Sequence, residues 1–382
     1  MRSYTGVLFW AICIVGIVWA QDACTGQCPN DETGNPVDGN FAHPADCSKY
    51  CACNGGVGTE QSCPDGLVFD PVLNICNWPE VTNCTQNECP RTVSNFTRTS
   101  TYAQFGMIWG AWMKDDYVLA DGVRVWLING INSAELLEFA NELDYTNGVI
   151  GRIITLPFNC AGTGHVVYKG DLYCNIYATR NMLRYGIDTG ASEIKELVGV
   201  GVSAVDEYDW GYKAFTDGDS SWGSGAFIDF AVDEYGLWVI YSSDATFNKI
   251  TVSKFDDEFN LTDTQSTNYD KVLAGNAFIA CGILYVVQAS YGDFSGSNNN
   301  YIRYTYDFAF NTDANLGPLD IPFPTVDRSC MVGNTNVNSF YSRVSYSAQD
   351  EKIYAWNCAF HERIDVAFSQ QGESIVRLYA DY

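Results

Sequence analysis

From residue 117 onward one pattern recurs along the chain: an apolar run, a short polar turn, then a second run carrying Leu, Ile or Val beside Tyr or Trp. Five copies read YVLADGVRVWLI, HVVYKGDLYCNIY, DFAVDEYGLWVIY, AFIACGILYVV and VSYSAQDEKIYAWN. Aligned on Trp126, Tyr173, Trp238, Tyr285 and Tyr354, they lie 47, 65, 47 and 69 residues apart. Asp-Gly, Lys-Gly, Tyr-Gly and Cys-Gly precede the second run in four copies, and the fifth has Gln-Asp-Glu-Lys. Glycine supplies the positive φ that a tight hairpin turn needs, so each copy predicts a β-hairpin. Hairpins repeating at roughly 50 residues predict a β-propeller with one hairpin per blade, and the unequal intervals predict long loops between blades. A β-sandwich would supply the same strands without the repeat. Helical periodicity is weak. The clearest candidate is Ser133 to Glu142, SAELLEFANE, with Ser133 as its N-cap.

Residues 1–20 carry a different pattern. Arg2 precedes an apolar run from Val7 to Val18, broken only by Gly16, and Val18 and Ala20 occupy the small-residue positions before a cut expected at Gln21. The run is short for a bilayer span, and no later segment approaches that length, so the expectation is a signal peptide and a secreted chain.

Cysteine density divides the remainder. Nine cysteines fall between Cys24 and Cys89, and five in the following 293 residues. The expected domains are a module at 21–90 and a larger one, with its linker, at 91–382. The stretch Thr85 to Thr101 is polar, has no period and reads as linker. Dense cysteine in a short secreted segment predicts a small fold stapled by disulfides, because its core is too small to hold itself. Three sequons stand at Asn83, Asn95 and Asn260. Asn95, in the least regular stretch, is the favoured glycosylation site, and Asn83 adjoins a half-cystine.

Charge narrows the choice of partners. The net charge of −25 disfavours nucleic acid and anionic membranes; it suits basic partners, divalent cations or simply solubility. Aromatics make up 14% of residues, which fits either a β fold or a sugar-binding surface.

The six cysteines Cys28, Cys47, Cys53, Cys63, Cys76 and Cys84 enclose 18, 5, 9, 12 and 7 residues, with the aromatics of ADCSKYCACNGG and SCPDGLVFDPVLNICNWPEVTNC between them. This spacing resembles the peritrophin-A type chitin-binding domain. The resemblance implies chitin or a related N-acetylglucosamine polymer as ligand, with Phe69 and Trp78 around a hairpin closed by Cys63 and Cys76. Stacking on sugar rings needs exposed aromatics, and the acetamido groups need polar partners. Tyr50, Asn54, Phe69, Asp70 and Trp78 are the candidates, although Phe69 in GLVFD also reads as a half-buried strand residue and Asn54 in CNGG as a turn residue. The resemblance further implies disulfides Cys28–Cys53, Cys47–Cys84 and Cys63–Cys76; the residues alone leave the pairing open. Cys51 is extra to the pattern, with Cys24 as its natural partner.

GTGHVVYKGDLY, IDFAVDEYGLWVIY, NAFIACGILYVV and DEKIYAWN resemble the olfactomedin domain in four segments and in order, over roughly residues 98–370. The resemblance implies an all-β, five-bladed propeller that is extracellular and binds a protein partner, with no enzymatic activity. It also implies a disulfide from an early cysteine to Cys281, assigned to Cys89; Cys160–Cys174 and Cys330–Cys358 are then what remains. Finally, it implies Ca²⁺ near the axis, held by Asp229, Asn276 and the carbonyls of Ala277 and Val344. At the next position, where an aspartate is usual, this chain has Ser345.

A chitin-binding module can accompany a chitinase, but the acidic clusters at 205–210, 217–219 and 255–258 lack the D-x-x-D-x-D-x-E order of the common chitinases. No HExxH helix or GxSxG elbow is present. The expected function is secreted adhesion: chitin at one end, an extracellular protein at the propeller. A glycan-active enzyme using propeller-loop carboxylates, or an acidic calcium-binding matrix component, are the alternatives.

Overall fold

A computed structural model describes residues 24, 38–43, 47–70, 74–78, 91–104, 107–115, 124–201, 226–243, 245, 249–288, 301–308, 312–313, 321–324, 329–332, 335–338 and 340–370. The chain divides into two compact units, at Met1–Glu88 and Cys89–Tyr382.

In the first unit, strands Gly39–Ala42, Lys49–Asn54 and Val57–Ser62 form an antiparallel sheet, and Val68–Asp70 pairs with Ile75–Asn77 in a separate hairpin. Disulfides Cys24–Cys51 and Cys63–Cys76 staple it, and Cys47 and Cys53 are disulfide-bonded as well. Gly58 lies under Cys24 so closely that a Cβ there would fall 2.2 Å from the Cys24 carbonyl oxygen. In so small a core the bridges take the place that apolar bulk holds in a larger domain.

The second unit is a five-bladed β-propeller, each blade a four-strand antiparallel meander or close to one. Its innermost strands are Gly110–Met113, the second half of Arg152–Tyr168, Ile228–Asp233, Asn276–Ala280 and Tyr341–Ser347. The 17-residue strand Arg152–Tyr168 serves two blades. Its first half pairs with Asn132–Phe139 as the outer edge of blade 1, and its second half pairs with Asp171–Ile176 as the inner edge of blade 2. Blade 1 uses Gly110–Met113 as the inner partner of Val125–Asn129; Tyr117 to Gly122, the first part of the expected hairpin there, lies outside the described residues.

Five buried clusters fill the five seams. Blades 1 and 2 meet at Met113, Trp126, Val167 and Leu172, and blades 2 and 3 at Tyr173, Phe230, Leu237 and Val239. Blades 3 and 4 meet at Trp238, Ile240, Ile279 and Leu284, blades 4 and 5 at Phe278, Tyr285, Val344 and Ile353, and blades 5 and 1 at Trp112, Leu127, Tyr354 and Trp356. Successive side chains of a strand point to opposite faces, so Leu237, Val239 and Tyr241 enter one seam while Trp238 and Ile240 enter the next. Burial on both faces explains the continuous apolar runs.

Three propeller hairpins turn on a pair of residues with positive φ: Cys358 and Ala359 at 51° and 67°, and two that an acid caps, Lys169 and Gly170 at 52° and 82° and Cys281 and Gly282 at 54° and 70°. These are the values a two-residue type I′ turn demands. In the two glycine-containing turns the capping acid belongs to the preceding blade. Asp115 accepts from the amides of Lys169 and Gly170 at 3.1 and 2.6 Å. Glu234 and Asp233 accept from those of Cys281 and Gly282 at 2.9 and 2.7 Å.

The structure corrects two expectations. Arg91–Gln104 is not linker but a 14-residue strand; it pairs with Phe360–Gln370 as the outermost strand of blade 5 and closes the ring. Its period is hidden because three register shifts interrupt the pairing, and only one flank of an outer strand is covered. Ser133 to Glu142 is not a helix. Asn132–Phe139 is a strand held between two neighbours, and among the described residues the one α-helix is the short stretch Glu142–Thr146, capped by Asn141. Pairing on both edges outweighs the helix propensity of Ala, Glu and Leu. The Ser133 hydroxyl accepts from the amide of Glu135 at 3.1 Å, a local turn contact rather than a helix cap.

Candidate functional site

In the first unit the hairpin closed by Cys63–Cys76 carries the aromatic candidates. Val68 pairs with Asn77 and Phe69 with Cys76. Trp78 follows directly and is 62% exposed, with its amide donating to Asn77 Oδ1 at 2.9 Å. A bare indole held at the end of a disulfide-closed hairpin offers a flat apolar face for a sugar ring. Ile75 is exposed on the same short strand.

Phe69 departs from its expected role. It is 2% exposed and stacks on half-buried Tyr50, centroids 5.0 Å apart and planes 24° apart. Its ring is core and supports Tyr50 from beneath, so it has no face to give a ligand. Asp70 is buried as well, whereas Asn54 is exposed at the turn into Gly55. The exposed part of the candidate set is therefore Trp78, Asn54 and the outer edge of Tyr50. Glu60 accepts from Lys49 at 2.8 Å and meets His43 at 3.0 Å; these contacts hold its carboxyl below the usual range.

In the propeller, Asp229 lies on the inner strand of blade 3, Asn276 and Ala277 on that of blade 4, and Val344 and Ser345 on that of blade 5. Gly164 packs against Asp229 so closely that a Cβ there would fall 1.5 Å from Oδ1. Burial pushes the Asp229 carboxyl up to about 7, against the pull of Arg343 and the Phe230 amide. Arg343, 4% exposed, donates from Nη1 to the Thr163 carbonyl and from Nη2 to the His165 carbonyl. Burial and the same arginine hold the His165 imidazole down to about 3, so it stays neutral. Arg343 was not singled out by sequence reasoning; an arginine inside the inner-strand run YSRVSYS was the available signal.

Calcium takes about six to eight oxygen ligands, with several carboxylates in tight sites. Here the set offers the Asp229 carboxylate, the Asn276 amide and two main-chain carbonyls, with a hydroxyl at Ser345. Asn276 Oδ1 already accepts from the Ala277 amide at 3.1 Å, and its Nδ2 faces the Tyr341 carbonyl at 3.5 Å. The Arg343 guanidinium stands on the strand that carries Val344 and Ser345, and it pulls on the lone carboxylate from across the ring. These donors do not fit a hard dication.

The remaining candidates are placed as follows. Cys160–Cys174 and Cys330–Cys358 are disulfides, and Cys281 is disulfide-bonded; Cys28, Asn83, Cys84 and Cys89 lie outside the described residues. Cys160, His165 and Cys174 lie close together, but the two sulfurs are bonded to each other and offer no thiolate pair. Asn95 is exposed on the closing strand, not in an irregular segment. Asn260 is exposed in the turn after Lys249–Phe255, where its amide and Nδ2 donate to Asp256 at 2.6 and 3.2 Å. The acidic cluster at 255–258 is engaged in structure: Asp256 caps that turn, and Asp257 accepts from Tyr168 and Lys169 at 2.8 and 2.6 Å. The clusters at 205–210 and 217–219 lie outside the described residues. Among the described residues, no helix is long and apolar enough to cross a membrane.

A disulfide-stapled sugar-binding module and a five-bladed propeller, both binding modules, define an extracellular adhesion or binding protein. The olfactomedin-like domain family model matches residues 84–371 and the chitin binding Peritrophin-A domain model residues 28–84. The chain belongs to the olfactomedin-like domain family, with a chitin-binding Peritrophin-A domain before it. It is similar to adhesion G protein-coupled receptor L1 of Mus musculus, 32% identical over 284 residues, a match covering 73% of this chain and 18% of the receptor. The Homo sapiens receptor gives the same identity and 17% of its length. The chain thus spans less than a fifth of these relatives. Among solved structures, a glutaminyl cyclase of Myxococcus xanthus aligns at TM-score 0.39 and 11% identity, covering 72% of this chain and 98% of that one. A streptogramin B lyase aligns at 0.30 and 12%, covering 91% and 94%. Likenesses this weak bear on neither mechanism nor partner.

Proposed function

We propose that the protein is a secreted adaptor that binds chitin through its N-terminal module and an extracellular protein through its propeller. The observation that carries this reading is one chain joining a chitin-binding domain, with Trp78 bare on a disulfide-closed hairpin, to an olfactomedin-like domain. The relatives' printed description as adhesion receptors supports adhesion as the propeller's task. An acidic surface favours a basic partner patch. The contact would tether soluble protein or cells to a chitinous layer.

Chitin-bead retention of the full chain tests the sugar half. The native protein is expected to be retained and to be eluted by N-acetylglucosamine oligomers, and Trp78→Ala to lose retention with its melting curve unchanged. Native protein passing straight through the beads would sink the chitin anchor.

A further inference from the structure

An arginine stands on the inner strand that also carries Val344 and Ser345, two positions of the expected metal set. Arg343 is buried on the inner strand of blade 5, and its two terminal nitrogens reach the carbonyls of Thr163 and His165 on the inner strand of blade 2. Those carbonyls flank Gly164, the residue whose missing Cβ leaves room for the Asp229 carboxylate of blade 3. Carbonyl oxygens and a carboxylate converging from separate blades form the kind of donor set that calls for a cation. Here two of those carbonyls are taken up by guanidinium hydrogens.

The neighbouring cavity fits this arrangement. It measures 20 Å³, room for about one water, and is lined by Val166, Val232, Arg343 and Ser345 among others. Ser345 stands two residues from Arg343, so both project to the same face of the strand. A carboxylate at 345 would face the guanidinium; a hydroxyl adds no charge. A half-buried acid and a buried base on separate blades balance without an ion from solvent, and an arginine keeps its charge at any working pH.

We infer that Arg343 supplies the positive charge beside Asp229 at the propeller axis, so that this propeller holds blades 2, 3 and 5 together without calcium. Folding then depends on a covalently fixed cation rather than on extracellular calcium concentration. The chain's many surface carboxylates can still attract calcium weakly, as any acidic surface does.

The test titrates the full secreted chain with calcium chloride in a calorimeter and melts it in EDTA, in calcium and in magnesium. Melting temperatures in calcium and magnesium are expected to agree, with no saturable uptake of one calcium per chain. One calcium bound per chain, together with a melting temperature raised by calcium and not by magnesium, would overturn the inference. The double variant Arg343→Gln with Ser345→Asp removes the guanidinium and adds a second carboxylate. It is expected to melt below the native protein in EDTA and to recover in calcium. If it melts like the native protein in EDTA, the guanidinium is not the axial cation and the inference falls. Should the double variant fail to be secreted, the native titration decides alone.

Discussion

Phe69 and Trp78 show how differently two aromatics of one hairpin can serve. Phe69 lies under Tyr50 and Trp78 stands in solvent. Phe69→Ala should cost the module about 3–5 kcal/mol, the usual range for a core aromatic, and lower chitin retention only as far as the fold is lost. Thermal melting beside bead retention separates that pattern from Trp78→Ala. Both aromatics were legible in the sequence as candidates, but their exposure was not, because in a module this small any aromatic can be core. A second residue-scale prediction concerns Asp233, which accepts from Trp238 Nε1 and Gly282 N at 2.7 Å each. Burial, with Glu234 adding to it, pushes its carboxyl up from 3.8 to about 6. The folded state therefore holds this proton more tightly than the unfolded one. The contribution is fully present below the unfolded value and is lost as pH rises through the folded value. His165 acts in the opposite sense, since its depressed value costs stability as pH falls below that of an unfolded imidazole. The difference in denaturation midpoint between native protein and Asp233→Asn isolates the aspartate. That difference should move most between about pH 4 and 6, and a flat difference curve would contradict the assignment.

Among the elements, hairpins were legible and the closing strand was not. The turns at Lys169-Gly170 and Cys281-Gly282 declare themselves because glycine takes φ above zero without strain, whereas the turn at Cys358-Ala359 has no glycine and gives no such sign. Arg91–Gln104 hides because its buried apolar residues are Val93, Phe96 and Ala103, spaced unevenly by the register shifts, with Thr92 buried beside them and other Ser and Thr facing water. The helix expected over Ser133 to Glu142 failed for the complementary reason: Leu136 and Phe139 are three apart, which suits a helix, yet hydrogen bonding to strands on both sides decided the backbone. Closure by the early strand predicts that Phe96→Asp is severe. The side chain packs edge-on against Phe323, centroids 4.8 Å apart, in the seam between blades 4 and 5. An unpaired carboxylate there should lower stability by about 3 kcal/mol or more and raise protease cleavage at both ends of the propeller together. Cleavage confined to the N-terminal side would contradict closure. Turn capping gives a milder case. Asp115→Ala leaves the amides of Lys169 and Gly170 without their acceptor and should cost about 1–3 kcal/mol in a denaturant titration, since those bonds are charge-assisted.

Over the whole molecule, the proposed function joins two kinds of attraction in one chain, and ionic strength separates them. Stacking on Trp78 works by dispersion and burial of apolar area, which salt does not screen. Attraction of a basic partner to a chain of net charge −25 is Coulombic and fades as the screening length falls from about 10 Å at 0.1 M salt to about 3 Å at 1 M. Full-length protein on chitin beads should therefore stay bound across that range, and Trp78→Ala should fail to bind at either end of it. The same protein should bind polylysine-coated beads at low salt and leave them at high salt, whether or not Trp78 is present. Release from chitin in step with release from polylysine would mean that the chitin beads were holding the chain by its charge, and the indole would lose its assigned role. Retention on chitin that persists at high salt and yields to N-acetylglucosamine oligomers would leave the propeller free to exchange its partner with ionic conditions while the anchor holds.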